Sequence, residues 1–279
     1  MENKKVWFVT GASKGLGLAL VKRLLNEGYS VAATSRSISD LNKAVDGDSD
    51  RFLPLAVNIK DESSVQEAIE KAISTFGKID VVVNNAGYGL VGGLEELTDD
   101  EARDNFDVNV FGSLNVIRKA LPYLRDQKSG HIINISSIGG FVGGYPGFGI
   151  YCATKFAVNG FSEALAQEVN PLGIKVTIVE PGYFRTNFLS EGSLITPKNQ
   201  ISDYQNVRDA QNLHQNNLDQ QQPGDPEKAA AAMIKIAGAD DAPLNLFLGA
   251  DAYDLAHKKI AEVKNELEAW KELTTSTAF

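Results

Sequence analysis

Between residues 5 and 182, short apolar runs alternate with helical patterns, and no other feature restricts the fold as strongly. The runs are KVWFVT (5–10), SVAATS (30–35), FLPLAVNI (52–59), IDVVVNNAG (79–87), HIINISS (131–137) and KVTIVEPG (175–182), with NLFLG (245–249) as a seventh. Continuous apolar runs suit strands buried on both faces, the condition of a parallel sheet. Parallel strands need crossovers, which the intervening helical patterns supply. The expected fold is α/β: one doubly wound parallel sheet of about seven strands with helices on both faces, a single domain over residues 1–279.

Several runs end in residues suited to chemistry. The first passes into Thr10-Gly11-Ala12-Ser13-Lys14-Gly15-Leu16-Gly17, then into a helix with Leu16, Leu20, Leu24 and Leu25 at helical spacing and Gly28 at its end. Glycines at 11, 15 and 17 let the backbone approach a pyrophosphate, and the helix N-terminus offers free N–H groups. The second run ends in Ser35 and Arg36. An acid there would accept from a ribose 2′-OH, whereas Ser35 and Arg36 suit a 2′-phosphate, with Lys14 adding a second positive charge. These positions predict NADP. Asn58, near the end of the third run, is placed to approach the adenine. Asn84-Asn85-Ala86-Gly87 closes the fourth with two amides and two tiny residues, suited to packing against a nicotinamide riboside.

The fifth run ends in Ser136 and Ser137, followed by a glycine-rich loop and then by Tyr151 and Lys155, four residues apart. On a helix these two share a face. A cation beside a phenol favours phenolate, so a lowered Tyr151 pKa is expected. Residues 98–127 read as one helix or a helix pair, opening on the capping box Thr98/Glu101. Asn109 lies in an apolar stretch of it, where an amide needs a partner.

Residues 186–225 are rich in Asn and Gln and weakly periodic. They are either a featureless loop or, the favoured reading, a lid over the substrate, because they follow the sixth strand's C-terminal end. Asp225 and Pro226 mark a helix start. A final helix at about 251–273 carries Leu255, Ile260, Val263, Leu267 and Trp270 on one stripe. The stripe is expected to pack in the core, with a subunit contact as the alternative.

Composition narrows the function. A net charge of −9 disfavours a nucleic-acid surface. No run is long enough for a membrane span, no signal peptide is expected, and the single Cys152 permits no intrachain disulfide, so a cytoplasmic protein is expected. His131, His214 and His257 are far apart, no zinc motif exists, and no metal is expected.

Taken together, TGxxxGxG (Thr10–Gly17), NNAG (Asn84–Gly87), the helix Asn109, YxxxK (Tyr151, Lys155) and PG (Pro181, Gly182) resemble the classical short-chain dehydrogenase/reductase family. The resemblance covers nearly the whole chain. It implies one Rossmann domain and a catalytic tetrad of Asn109, Ser137, Tyr151 and Lys155. In that tetrad Asn109 would position a water linking Lys155 to solvent. The cofactor-holding set it implies is Gly11, Ser13, Lys14, Gly15, Leu16, Gly17, Ser35, Arg36, Asn58, Asn85, Ala86, Gly87, Tyr151, Lys155, Pro181, Gly182, Phe184 and Thr186. PGYFRTNF and IYCATKFAV are similar to bacterial carbonyl reductases and, more distantly, to 17β-hydroxysteroid and retinol dehydrogenases. One departure stands out: Ser137 lies fourteen positions before Tyr151 where the family usually has thirteen, which implies one extra residue near Gly143-Gly144.

The expected activity is NADPH-dependent reduction of a bulky hydrophobic ketone or aldehyde. Oxidation of a secondary alcohol, steroid or retinoid is the alternative, and an idle NADP-binding regulator a further one. Gly89–Gly93, Phe141–Phe148 and Tyr183–Phe188 are expected to line the pocket. Expected partners are a small carbonyl or alcohol substrate and further copies of the chain, as a homodimer or homotetramer.

Overall fold

In the computed structural model, which describes residues 4–46, 49–190 and 192–279, seven strands form one parallel sheet. Residue 191, inside the expected lid, lies outside the described residues. The strands of this sheet are β1 (Val6–Val9), β2 (Ser30–Ser35), β3 (Phe52–Ala56), β4 (Val81–Asn84), β6 (Gly130–Ile135), β7 (Ile174–Pro181) and β9 (Asn245–Leu248). Their order is β3-β2-β1-β4-β6-β7-β9, parallel throughout. A separate parallel pair joins β5 (Gly89–Leu90) to β8 (Leu194–Ile195). Strand order reverses between β1 and β4, and in open α/β sheets ligands bind at the carboxyl ends beside such a reversal.

The helices are α1 (Gly15–Asn26), α2 (Ile38–Val45), α3 (Glu62–Phe76), α4 (Asp99–Phe106), α5 (Gly112–Gln127), α6 (Gly149–Val169), α7 (Gln205–Asn212), α8 (Pro226–Ala237), α9 (Ala250–Ala269) and α10 (Lys271–Thr275). The period of a strand sorts its residues between the two faces. Trp7, Val9, Val31, Ala33, Val81 and Val83 bury one way, against Leu20 and Leu24 of α1 and Met233 of α8. Phe8, Ala32 and Val82 bury the other way, against Ile69 of α3, Leu124 of α5 and Leu165 of α6. Each fully buried Leu, Ile or Phe contributes about 1.5–3 kcal/mol of transfer free energy. This is why the runs are apolar without alternation.

Helix starts follow local chemistry. The Thr98/Glu101 capping box forms in both directions. Asp225 accepts from Glu227 N with Pro226 in the first turn. Residues 98–127 become one continuous rod, in which a π-turn over Asp107–Phe111 joins α4 to α5 and holds the buried Asn109. The stretch after residue 186 is partly helical, with α7 running into a second π-turn at Leu213–Leu218.

One expectation is overturned. Of the final stripe only Leu255 packs inward, against a small cluster of Ile138, Ala252 and Ala256. Ile260, Val263, Leu267 and Trp270 are exposed, because α9 leaves the sheet edge and the body offers nothing beyond its first turns.

Glu180 of β7 is fully buried. Its Oε1 accepts a 2.7 Å bond from Asn159 Nδ2, while Oε2 has no partner among the described residues. Burial pushes the carboxyl up to about 7. The folded pKa therefore lies above the unfolded one. The protonated form is favoured by folding, and its contribution is complete at low pH and lost as pH rises through about 7. Glu180→Gln keeps the acceptor for Asn159 and removes the charge. The variant is expected to match wild type near pH 4 and to exceed it by roughly 3 kcal/mol at pH 8 in denaturant melts. Parallel stability-against-pH curves for the two proteins would contradict this.

Candidate active site

The carboxyl ends of β1, β4, β6 and β7 open on one cleft of about 1100 Å³. The turn after β1 is pressed onto the end of β4. A Cβ at Gly11, where φ is +64°, would stand 2.7 Å from Ala86 Cα, and one at Gly17 would stand 2.7 Å from Gly11 O. Thr10 Oγ1 accepts from Asn85 N at 3.0 Å and from Ala86 N at 3.1 Å. Asn85 Nδ2 returns bonds of 2.9 Å to Thr10 O and Gly11 O. The two motifs are thus one object. Asn84 is not part of the cleft wall; its amide donates to Asn134 Oδ1 at 2.8 Å inside the core.

Helix α1 begins at Gly15 with no side-chain cap, so its first N–H groups are left for a ligand. Ser13, Lys14, Gly15, Leu16, Ser35, Arg36 and Asn58 line this end of the cleft. Lys14 Nζ donates to Ser193 Oγ. Burial holds the Lys14 pKa below its ordinary value, and repulsion from Arg36 lowers it further. Neither cation forms a salt bridge with a carboxylate among the described residues, which leaves both available to a phosphate. Ser35 is spent on its own turn: its hydroxyl donates to Ser37 O at 2.6 Å and accepts from Ser37 N at 3.1 Å. Across the cleft stand Asn85, Ala86 and Gly87 on one wall and Pro181, Gly182, Phe184 and Thr186 on the other. Asp251, at the start of α9, fixes the second wall by accepting from Tyr183 N at 2.7 Å.

Tyr151 and Lys155 sit one turn apart on α6, both buried and both at the cleft. Ser137 hydrogen-bonds the Tyr151 side chain, and its Oγ accepts from Gly139 N at 3.0 Å. Ser136 Oγ is tied instead to Lys155 O, at 3.2 Å. Of the two serines, Ser137 faces the tyrosine despite its longer spacing. Burial raises the Tyr151 pKa, and the Ser137 bond lowers it by less. The expected lowering is therefore corrected. Lys155 Nζ lies 5.9 Å from the phenol ring centroid and donates to Ile135 O at 2.9 Å, so burial outweighs it and the phenol keeps its proton. Burial also lowers the Lys155 pKa to about 8.

The Asn109 side chain is more occupied than expected. Its Nδ2 donates to Tyr88 O and Thr154 Oγ1, both at 3.0 Å, and its Oδ1 accepts from Tyr88 N at 3.0 Å. Both donors are taken by protein. The side chain pins the segment after Gly87 to α6, and does not stand free to donate to a relay water.

On the substrate side the wall is Leu90, Tyr145, Phe148, Tyr183, Phe188, Leu189 and His214. Phe141, expected there, turns away and packs edge-on against Phe247 at 5.3 Å. Of Gly89–Gly93 only Leu90 lines the cleft. His214 has no sequence signal as a cleft residue. Its Nδ1 lies 2.7 Å from Ala210 O, which can only accept, so Nε2 accepts from the Tyr183 hydroxyl at 3.0 Å. The stretch carrying His214 is fastened to the body through Glu96, which pairs with Arg208 and accepts from Ile201 N at 2.8 Å. Among the described residues no His/Cys/Asp/Glu group could hold a metal, and no helix is long and apolar enough to cross a membrane.

Comparison with known proteins agrees with this architecture. Residues 5–193 match the family described as short chain dehydrogenase. A Botryotinia fuckeliana protein named oxidoreductase BOA17 is 38% identical over 98% of this chain and 99% of its own. A 3-ketodihydrosphingosine reductase of Bacteroides thetaiotaomicron is 38% identical over 88% of each chain. Among solved structures, a short-chain dehydrogenase from Streptomyces avermitilis superposes with a TM-score of 0.91, at 38% identity and full coverage of both chains. ElxO with NADP bound superposes at 0.71 with 27% identity, over 88% of this chain and 96% of its own.

Proposed function

The chain belongs to the short-chain dehydrogenase family, and from that premise we propose that this oxidoreductase is an NADPH-dependent carbonyl reductase acting on bulky hydrophobic ketones or aldehydes. The observation that carries this reading is the cleft itself. A protonated Tyr151, held by Ser137 and followed by Lys155, stands at one end, and Lys14 and Arg36, in no salt bridge among the described residues, stand at the other.

The residues fit the cofactor. Lys14, Arg36 and the uncapped start of α1 match the charge of a 2′-phosphate and a pyrophosphate. Asn85, Ala86, Gly87, Pro181, Gly182, Phe184 and Thr186 would flank the nicotinamide half. When bound, NADPH supplies the hydride to the carbonyl carbon.

The chain's own residues handle the proton. Ser137 and Tyr151 hold the carbonyl oxygen by two hydrogen bonds. Tyr151 passes its proton to that oxygen as negative charge develops there. Lys155 then faces a phenolate, and its ammonium stabilises the charge until the phenol is reprotonated. Asn109 is a positioning residue that fixes α6 against the Gly87 segment. With burial keeping Tyr151 protonated, the free site holds the acid that carbonyl reduction needs, and the net direction follows the cofactor ratio. Phe148, Phe188 and Leu189 give the substrate side an apolar wall. The name of the Bacteroides relative, a keto-substrate reductase, agrees with this class.

The test is loss of NADPH absorbance with a panel of aryl ketones, long-chain ketones and small polar ketones. Turnover is expected with the bulky apolar members, with alcohol formed in equal amount to NADPH consumed. Binding of NADPH without turnover on any carbonyl would leave the chain an idle nucleotide-binding protein.

A further inference from the structure

Helix α9 starts against the body, with Ala252 and Ala256 buried beside Ile138. Every residue from 261 to 279 is exposed, yet helix continues to Ala269 and again over Lys271–Thr275. A helical stretch of this length with no tertiary packing is marginal in water.

Its sequence says what would cover it. Beyond the buried Ala256, the residues Ile260, Val263, Leu267 and Trp270 recur at steps of 3, 4 and 3. That alternation is the 3.5-residue period of a coiled-coil seam, which wants a second helix of the same kind. The seam is open to solvent: Ile260 is 53% exposed, Leu267 58% and Trp270 63%.

The flanking charges select the orientation. With Ile260 and Leu267 as a positions and Val263 and Trp270 as d positions, Lys259 and Glu266 are g residues and Lys264 and Lys271 are e residues. A parallel pair would set Lys259 against the partner's Lys264, which offsets the attraction of Glu266 to the partner's Lys271, and would crowd two bodies of net charge −9 at one end. An antiparallel pair with Ile260 over the partner's Val263 sets Lys259 against the partner's Glu266, twice by symmetry. The same register lays Trp270 over the partner's Tyr253, which is 60% exposed. It also brings Lys271 toward the partner's Asp254 and sends the bodies to opposite ends.

We propose that α9–α10 is a self-association helix, which pairs antiparallel and seam to seam with the same helix of a second copy of this chain. The proposal is independent of the reaction assigned to the cleft.

Three measurements on the full chain test it. Val263→Glu with Leu267→Glu is expected to halve the sedimenting mass, whatever the wild-type total, with the melt of the body unchanged. Ile260→Cys with Val263→Cys is expected to give a covalent dimer on a non-reducing gel, while Ile260→Cys alone gives none; a parallel pair would cross-link through Ile260→Cys alone as well as through both together. The native Cys152 is buried and common to both variants. Lys259→Glu is expected to weaken assembly roughly tenfold, and Lys259→Glu with Glu266→Lys to restore it. An unchanged mass in the Val263/Leu267 variant overturns the proposal, as does a cross-link through Ile260→Cys alone. A wild-type chain that sediments as a monomer at micromolar concentration also overturns it, and leaves the seam to a different protein or a membrane surface.

Discussion

Tyr151→Phe is expected to lower turnover with NADPH and a bulky ketone by about a thousandfold or more, while the NADPH dissociation constant stays within about twofold. The substitution removes one oxygen and little else. The ring keeps its tilted contact with Phe188, at 5.8 Å between centroids, and its edge contact with Phe148 at 6.4 Å. Lys155 keeps its bond to Ile135 O. What disappears is the proton donor at the developing alkoxide, and the remaining Ser137 hydroxyl is too weak an acid to replace it. A preorganised donor at such an oxygen contributes on the order of 3 kcal/mol, and general acid catalysis adds about 10²–10⁴ in rate. Single-turnover kinetics beside a cofactor titration by fluorescence separates the two quantities. Near-normal turnover in the variant would remove Tyr151 from the chemistry.

The second large effect is on cofactor choice. Arg36→Ala and Lys14→Ala are each expected to weaken NADPH binding about tenfold to a hundredfold and to leave NADH binding nearly unchanged, since a bond to a charged group is worth about 1.5–3 kcal/mol. Lys14 is destabilised as a cation by burial and by Arg36 in the free protein. A 2′-phosphate relieves the repulsion, so the gain on binding includes what the empty site lacks. Ser35 contributes little, because its hydroxyl is already committed to Ser37. Parallel titrations with NADPH and NADH, repeated at two salt concentrations, check this. Equal loss for both nucleotides would place the cations on the shared pyrophosphate instead.

Much of this is legible in the amino-acid sequence itself. The apolar runs are strands because both faces of the sheet are covered, and their residues divide between two cores as period 2 requires. The sites at Gly11–Gly17, Asn85–Gly87, Ser137, Tyr151 and Lys155 converge because each ends or follows a strand on the same side of the sheet. Other features depend on contacts that spacing cannot show. Tyr183 and His214 meet across a separation of 31 residues, through a π-turn in a polar stretch. Thr10 locks two motifs with one hydroxyl, which looks ordinary in sequence. The phenol's acidity is not legible from spacing, because Tyr–Lys adjacency predicts one sign and burial of both groups imposes the other. The role of the final helix is not legible from its stripe, because 3.5 and 3.6 periods differ little over so few turns. Only exposure separates a core stripe from an open seam.

The central claim is that this cleft moves a hydride from NADPH to a carbonyl carbon while Tyr151 supplies the proton. The most direct measurement uses NADPH deuterated at the transferring C4 position with a turned-over ketone, followed by mass spectrometry of the product. One deuterium on the carbinol carbon of the alcohol in the wild-type reaction, and no labelled alcohol above background with Tyr151→Phe, is the predicted result. Deuterium retained on the cofactor while product forms, or equal labelling by both proteins, would contradict it.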